Sequence, residues 1–204
     1  MGNIYANMSL GQFTQVRDIL KSERTADEKM IAMSALLQGI SEDELLDMPI
    51  AEARQVFQVL DGLDQPPKAA KIRKKYQVGE WILRVSDVQD TCVAQWIDYQ
   101  QYARMGKDEH MADILSVALV PDGKKYNEDY DIVKLKADIL EHMSIADALA
   151  VCFFFQRKYL RSMKRILDYL LGWSQIKLKG EERKEIRRRT LKVRREVSAM
   201  LHSL

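Results

Sequence analysis

The spacing of apolar positions along the chain predicts helices almost everywhere. Over residues 10–21, Leu10, Phe13, Val16 and Leu20 share one face at helical spacing, and Ser9 stands where an N-cap belongs. Met30, Met33, Leu36 and Leu37 repeat the pattern over 27–38, starting at Asp27, and a short helix over 42–47 follows Ser41. Pro49 fits the first turn of the next helix, which runs to about Leu63, because its missing N–H has no helical acceptor there anyway. Gln65-Pro66-Pro67 then ends that helix. Further helices are predicted over 90–104, 108–119, 131–142, 145–172 and 181–203. Ser144 and Asp147 have the spacing of a capping box at the start of the longest, and Gly180 separates it from the last.

One stretch has a different period. From Tyr76 to Val85, aromatic and β-branched residues flank Gly79-Glu80, which predicts a small β-hairpin with its turn there. Pro121-Asp122-Gly123 predicts a turn, and 124–130 a polar loop bearing Tyr126 and Tyr130. The fold class is therefore all-α, mainly a helical bundle, with one small hairpin. Four segments follow: an N-terminal helical module over 1–67, a basic linker and hairpin over 68–90, a second helical module over 91–175, and a basic C-terminal helix over 176–204.

The two modules look related. Met48-Pro49-Ile50-Ala51-Glu52-Ala53 aligns with Met143-Ser144-Ile145-Ala146-Asp147-Ala148, and both hexamers open a helix. Leu45 and Leu140 precede each Met by three residues, Gln12-Phe13-Thr14 matches Gln95-Trp96-Ile97, and the matched segments keep their order. A repeat of this kind predicts that Pro49 and Ser144 sit at equivalent helix starts in equivalent surroundings.

Charge adds an asymmetry that periodicity does not reveal. Residues 157–204 contain fifteen Lys and Arg against five Asp and Glu, so with a total of +2 the preceding 156 residues carry −8. An acidic body with a basic tail points to self-association through opposite charges or to an acidic partner. Chemistry for catalysis is missing from the pattern. His110, His142 and His202 lack the His or Cys neighbours of a zinc site, no glycine-rich phosphate loop or serine elbow is present, and acidic pairs such as Glu42/Asp43 lie in polar settings. The expectation is a protein that is not an enzyme and has no metal, cofactor or catalytic residue. Cys92 and Cys152 form no metal spacing and read as small buried residues of an intracellular protein. The N-terminus lacks the pattern of a secretory leader, and the longest apolar run, 148–155, is too short for a membrane span.

The second module carries a family resemblance. The hairpin leads into a helix opening Gln95-Trp96-Ile97-Asp98; Tyr126 and Tyr130 follow in a loop, then Ala137-Asp138-Ile139-Leu140, and then Met143-Ser144-Ile145-Ala146-Asp147-Ala148 running into Phe153-Phe154-Phe155. This order over 76–165, echoed over 9–60, resembles the small helical tail assembly chaperones of tailed bacteriophages. Ser144 stands where that pattern has Pro, and the basic helix over 181–203 is no part of it. The resemblance implies a non-enzymatic assembly factor or structural component acting on phage tail or other virion proteins, in the host cytoplasm or in the virion.

Two features are the candidates for contact with a partner. On a helix, Phe153, Phe154 and Phe155 cannot all face one way, so at least one ring, with Phe154 as candidate, points from the core. In the last helix, Ile186, Thr190, Val193, Val197, Met200 and Leu204 step by 4-3-4-3-4, the spacing of a coiled-coil seam. Ile186, Val193, Val197 and Met200 are the candidate partner-binding residues, with oligomer formation through the same seam a further reading and packing on the chain's own domain another. The alternative function is nucleic-acid binding, carried by Arg187, Arg188, Arg189, Arg194 and Arg195.

Overall fold

A computed structural model describes residues 4–63, 65–86, 91–105, 110–128, 130–177 and 180–202, without the side chains of 6, 170, 172–183 and 202. The described chain is mainly helical with a small antiparallel sheet. It divides into two compact units. The first comprises residues 1–86 and 92–151, the second 87–91 and 152–204. The boundaries thus differ from those expected at 67, 90 and 175: helices from both expected modules share one unit, and a division falls inside the longest helix.

The first unit begins with α1 (Ile4–Asn7), α2 (Leu10–Lys21), α3 (Ala26–Gln38), α4 (Glu42–Leu46) and α5 (Ile50–Phe57), which ends in a 3-10 turn over Gln58–Leu60. Local capping sets most of these starts. Ser9 with Gln12, Thr25 with Glu28 and Ser41 with Glu44 each form a complete reciprocal box. Thr25, not Asp27, therefore starts α3, and Pro49 is the N-cap of α5, one position before the first turn. Tyr5, in the short α1 that periodicity misses, is buried and donates its hydroxyl to the carbonyls of Leu63 and Gln65.

After a linker come β1 (Lys75–Val78) and β2 (Trp81–Val85), paired antiparallel with Val78 opposite Trp81, so Gly79-Glu80 is the turn as expected. Gly79 has φ +53°, the first central position of a turn that favours glycine. The hairpin gains a third strand. After α6 (Val93–Met105) and α7 (Met111–Ala118), β3 (Leu119–Pro121) pairs with β2 in the order β1-β2-β3. The α8 helix (Ile132–His142) then packs on α2 and α7, and the opening of α9 (Ile145–Lys177) completes this unit. Gly11 permits the close crossing of α2 over α8: a Cβ at this position would lie 2.9 Å from the carbonyl oxygen of Leu140.

Leu10, Leu83, Leu115, Val120, Leu135, Ile139 and Ile145 fill the core of this unit at 1% exposure or less. Two polar side chains, Gln95 and Tyr126, are tied into this unit by hydrogen bonds. Gln95 donates from its amide to Ser86 Oγ (3.0 Å) and to the Val117 carbonyl (2.6 Å). Tyr126 donates to Asp98 at 2.7 Å, and burial, then this carboxylate, push its phenol well above the usual tyrosine range.

The two hexamers both open helices, and their likeness ends there. Ile145 is fully buried, whereas Ile50 is 76% exposed. Ser144 pairs backbone to backbone with Ser9 as an isolated antiparallel bridge, Leu10 N–H donating to Met143 O at 2.8 Å and Ile145 N–H to Met8 O at 3.0 Å. Met8-Ser9-Leu10 is thus the segment paired with Met143-Ser144-Ile145. Half of the expected capping box at Ser144 forms. Ser144 Oγ accepts from Asp147 N–H at 3.1 Å, but the Asp147 carboxylate pairs with Arg73 at 2.6 Å. That ion pair and the bond from Ala70 N–H to Ala146 O hold the basic linker to the start of α9.

The second unit contains the rest of α9 and α10 (Gly180–His202). Arg194 Nε meets Asp168 Oδ1 at 2.6 Å, tying the last helix to the one before it.

Candidate protein-binding surface on the C-terminal helix

Three faces can be distinguished on α10. Thr190 and Val197 are buried, at 9% and 3% exposure, and Leu191, Arg194, Ser198 and Leu201 are half-buried. At about 100° per residue, Thr190, Arg194, Val197 and Leu201 form one line along the helix. Of the expected seam, Thr190 and Val197 lie in this line, and Ile186, Val193 and Met200 lie to one side of it. Arg194, half-buried, stands in that line where the expected seam has Val193, and its charge is answered by Asp168. Thr190 satisfies its hydroxyl locally by donating to Ile186 O at 2.8 Å.

Ile186, Val193 and Met200 are left beside that line as a second face, 40%, 40% and 49% exposed at seven-residue intervals. Of the candidate contact residues, these three are accessible and Val197 is not. Arg188, Lys192 and Arg195, all exposed, make a third face on the side away from the buried line. Glu185 and Glu196 fall between the apolar strip and this basic ridge, and Glu185 pairs with Arg189 at 2.6 Å. Arg187 and Arg189 are exposed, whereas Arg194 is committed to Asp168. Leu204 lies outside the described residues, as do the side chains of Glu181, Glu182 and Arg183.

The three phenylalanines divide their roles. Phe155 is 1% exposed, Phe154 is half-buried with Lys158 Nζ 5.4 Å from its ring centroid, and Phe153 is exposed. The outward ring is Phe153, not Phe154. Sequence reasoning shows that one ring must turn outward, but choosing it requires the helix phase. Cys92 is another correction. It is exposed, and its sulfur accepts the Gln95 N–H at 3.5 Å just before α6, a short-range role that burial statistics do not anticipate.

Elsewhere in the first unit, charged side chains link helices. Asp113 accepts from Lys136 Nζ at 2.6 Å and meets His110 Nδ1 at 3.0 Å, while Lys136 also lies over the Tyr102 ring. Burial pushes the Asp113 carboxyl up, but bonds from Lys136 and His110 outweigh it and hold it below the usual range. A carboxyl with a lowered folded-state pKa stabilises the protein above its ordinary pKa, and that contribution is lost as pH falls through the lowered value. Asp113→Asn should therefore flatten the acid limb of a plot of urea midpoint against pH, measured from about pH 7 to about pH 3. At neutral pH the variant should lose about 1.5–3 kcal/mol, the range for a hydrogen bond to a charged group. An acid limb identical to that of the parent would show that the carboxylate contributes nothing there.

Asp138, Glu141 and His142 bring ligand-type atoms within 4.8 Å of one another. Asp138 already accepts from Trp81 Nε1 at 2.6 Å, and Glu141 and His142 are exposed. The trio includes one of the three histidines that spacing to other His or Cys passes over, because its companions are carboxylates. Glu141 and His142 also border an open cleft with Gln12, Gln15 and Ser144. Among the described residues no helix is long and apolar enough to cross a membrane. Compared with protein-family models, curated proteins and solved structures, the chain matches none of them.

Proposed function

We propose that the protein is a non-enzymatic assembly factor that binds other proteins through the exposed side of α10. The observation that carries this reading is the strip of Ile186, Val193 and Met200, three large apolar side chains in register along a helix otherwise rich in charge. Long side chains of this kind gain ~1.5–3 kcal/mol each when fully buried, and a heptad-spaced line is what a partner helix can cover. The likeness to phage tail assembly chaperones supports tail or other virion proteins as the partner class, met in the host cytoplasm or in the virion.

Products of neighbouring genes are the partners to test, since assembly genes cluster in phages. Each purified product is mixed with the full chain and followed by sedimentation velocity. A stoichiometric complex is expected, and Ile186→Asp with Val193→Asp should remove it without changing the helical circular dichroism. A complex indifferent to both substitutions would place the contact elsewhere.

The second reading, nucleic-acid binding, is favoured by one observation: Arg188, Lys192 and Arg195 are all exposed in one line along α10, with Glu185 and Glu196 beside them reducing the net charge of that side. Under that reading, duplex DNA is retained at about 50 mM salt, released by about 200 mM through counterion effects, and not retained by Arg188→Glu with Arg195→Glu.

A further inference from the structure

We propose that the exposed side of α10 docks on the acidic α4–α5 surface of a second copy of this chain. The inference rests on the reading of α10 as a protein-binding helix and names its partner.

The receiving surface has the complementary character. Leu46, at the end of α4, is 63% exposed, and Ile50, at the start of α5, is 76% exposed. These are among the most exposed large apolar side chains described, and they stand four residues apart across Pro49. Asp43, Asp47 and Glu52 are exposed around them. Residues 41–61 contain six acidic side chains against one basic, a net −5. Residues 184–196 of α10 contain seven basic side chains against two acidic, a net +5. Each surface thus presents a small apolar centre in a segment of one net sign, with Glu185 and Glu196 as the two acidic exceptions beside the α10 strip, and the net signs are opposite.

The division of labour follows from the magnitudes. Two or three side chains on each partner form a small apolar contact, well below the ~800 Å² per partner of a standard interface. Apolar burial alone gives weak binding. The opposed fields steer encounter and suppress pairing of like surfaces, α10 with α10 or α4–α5 with itself, where charges of one sign would meet. The contact is therefore heterologous, made by different surfaces of the two copies. A donor and an acceptor are present on every chain, so copies that lack opposite halves should complement each other.

That property supplies the test. Wild-type protein is expected to sediment as a larger species at high concentration and to dissociate as salt rises from about 50 to about 500 mM, where charges are screened within a few ångström. Ile186→Asp with Val193→Asp removes the donor, and Leu46→Asp with Ile50→Asp removes the acceptor. Each double variant alone should be monomeric, and an equimolar mixture should form a 1:1 complex. Should the acceptor variant lose its helical circular dichroism, Asp43→Lys with Asp47→Lys replaces it at exposed positions.

The other outcomes each decide something. A wild-type chain that stays monomeric at every concentration overturns the second copy as partner, and the complexes with neighbouring gene products then judge the α10 reading separately. Self-association that the donor variant abolishes and the acceptor variants leave intact overturns the α4–α5 surface alone. If neither abolishes it, the inference fails and α10 loses its support as the contact. A mixture that stays monomeric, when each variant alone is monomeric, overturns the heterologous contact. Association that disappears after nuclease treatment shows that nucleic acid bridges the copies and overturns direct docking.

Discussion

Val197→Asp should unfold or severely loosen α10, while Val193→Asp, four residues before it, should leave the helix intact and abolish association. The two valines occupy adjacent positions of what reads from spacing as one seam, but Val197 is 3% exposed and Val193 40%. A carboxylate at 197 would be placed against apolar surroundings with the nearest buried-line cation, Arg194, already engaged by Asp168. Losing the valine forfeits ~1.5–3 kcal/mol of burial, and an unanswered charge adds several more. A loss above about 3 kcal/mol is expected at 197 and a change within about 0.5 kcal/mol at 193, where surface substitutions normally fall. Helical ellipticity against urea measures the first, and sedimentation measures the second. A combined replacement of both valines cannot separate folding from binding, because one of them belongs to the core. Were Val197→Asp as well tolerated as Val193→Asp, the buried face of α10 would have to be redrawn.

The difference between the two valines explains what could be read from the sequence alone. Spacing of 4-3-4 is satisfied by both 186-190-193-197-200 and 190-194-197-201, lines offset by part of a turn. A search for apolar letters prefers the first because it skips Arg194. The structure turns the second inward, with the Arg194 head paired to Asp168. Helix starts at Ser9 and Ser41 were legible because a capping box is complete within four residues. Asp147 was not, because its carboxylate partner, Arg73, lies 74 residues away. The third strand was hidden for a different reason. Residues 114–121 are all buried, so neither the period of a helix nor that of a strand survives in the sequence, and the switch at Leu119 leaves no mark. Ile50 was hidden within an apparent repeat, since the matching position, Ile145, is fully buried.

Gln95 carries the other large effect. It is 2% exposed, and both amide hydrogens are used, one on Ser86 Oγ at the end of β2 and one on the Val117 carbonyl. The second acceptor is the more demanding. Val117 lies in the last turn of α7, where carbonyls lose their helical donors, and the chain leaves at once for β3. With the residue itself fully buried, no water reaches that oxygen. Gln95→Met keeps most of the volume and removes both bonds, so it isolates the cost of stranding the carbonyl, about 1–3 kcal/mol. Gln95→Ala adds a cavity, and the total should reach about 2–5 kcal/mol, a large share of the stability of a domain this size. Because Gln95 of α6 bonds at the junction of α7 and β3, the amides of Leu119 and Val120 should exchange faster in both variants, while those of α2 and α3 change less. Urea midpoints and hydrogen exchange decide it. If Gln95→Met matches the parent in both, the carbonyl has another donor, and the buried glutamine is filling space, not fastening the third strand.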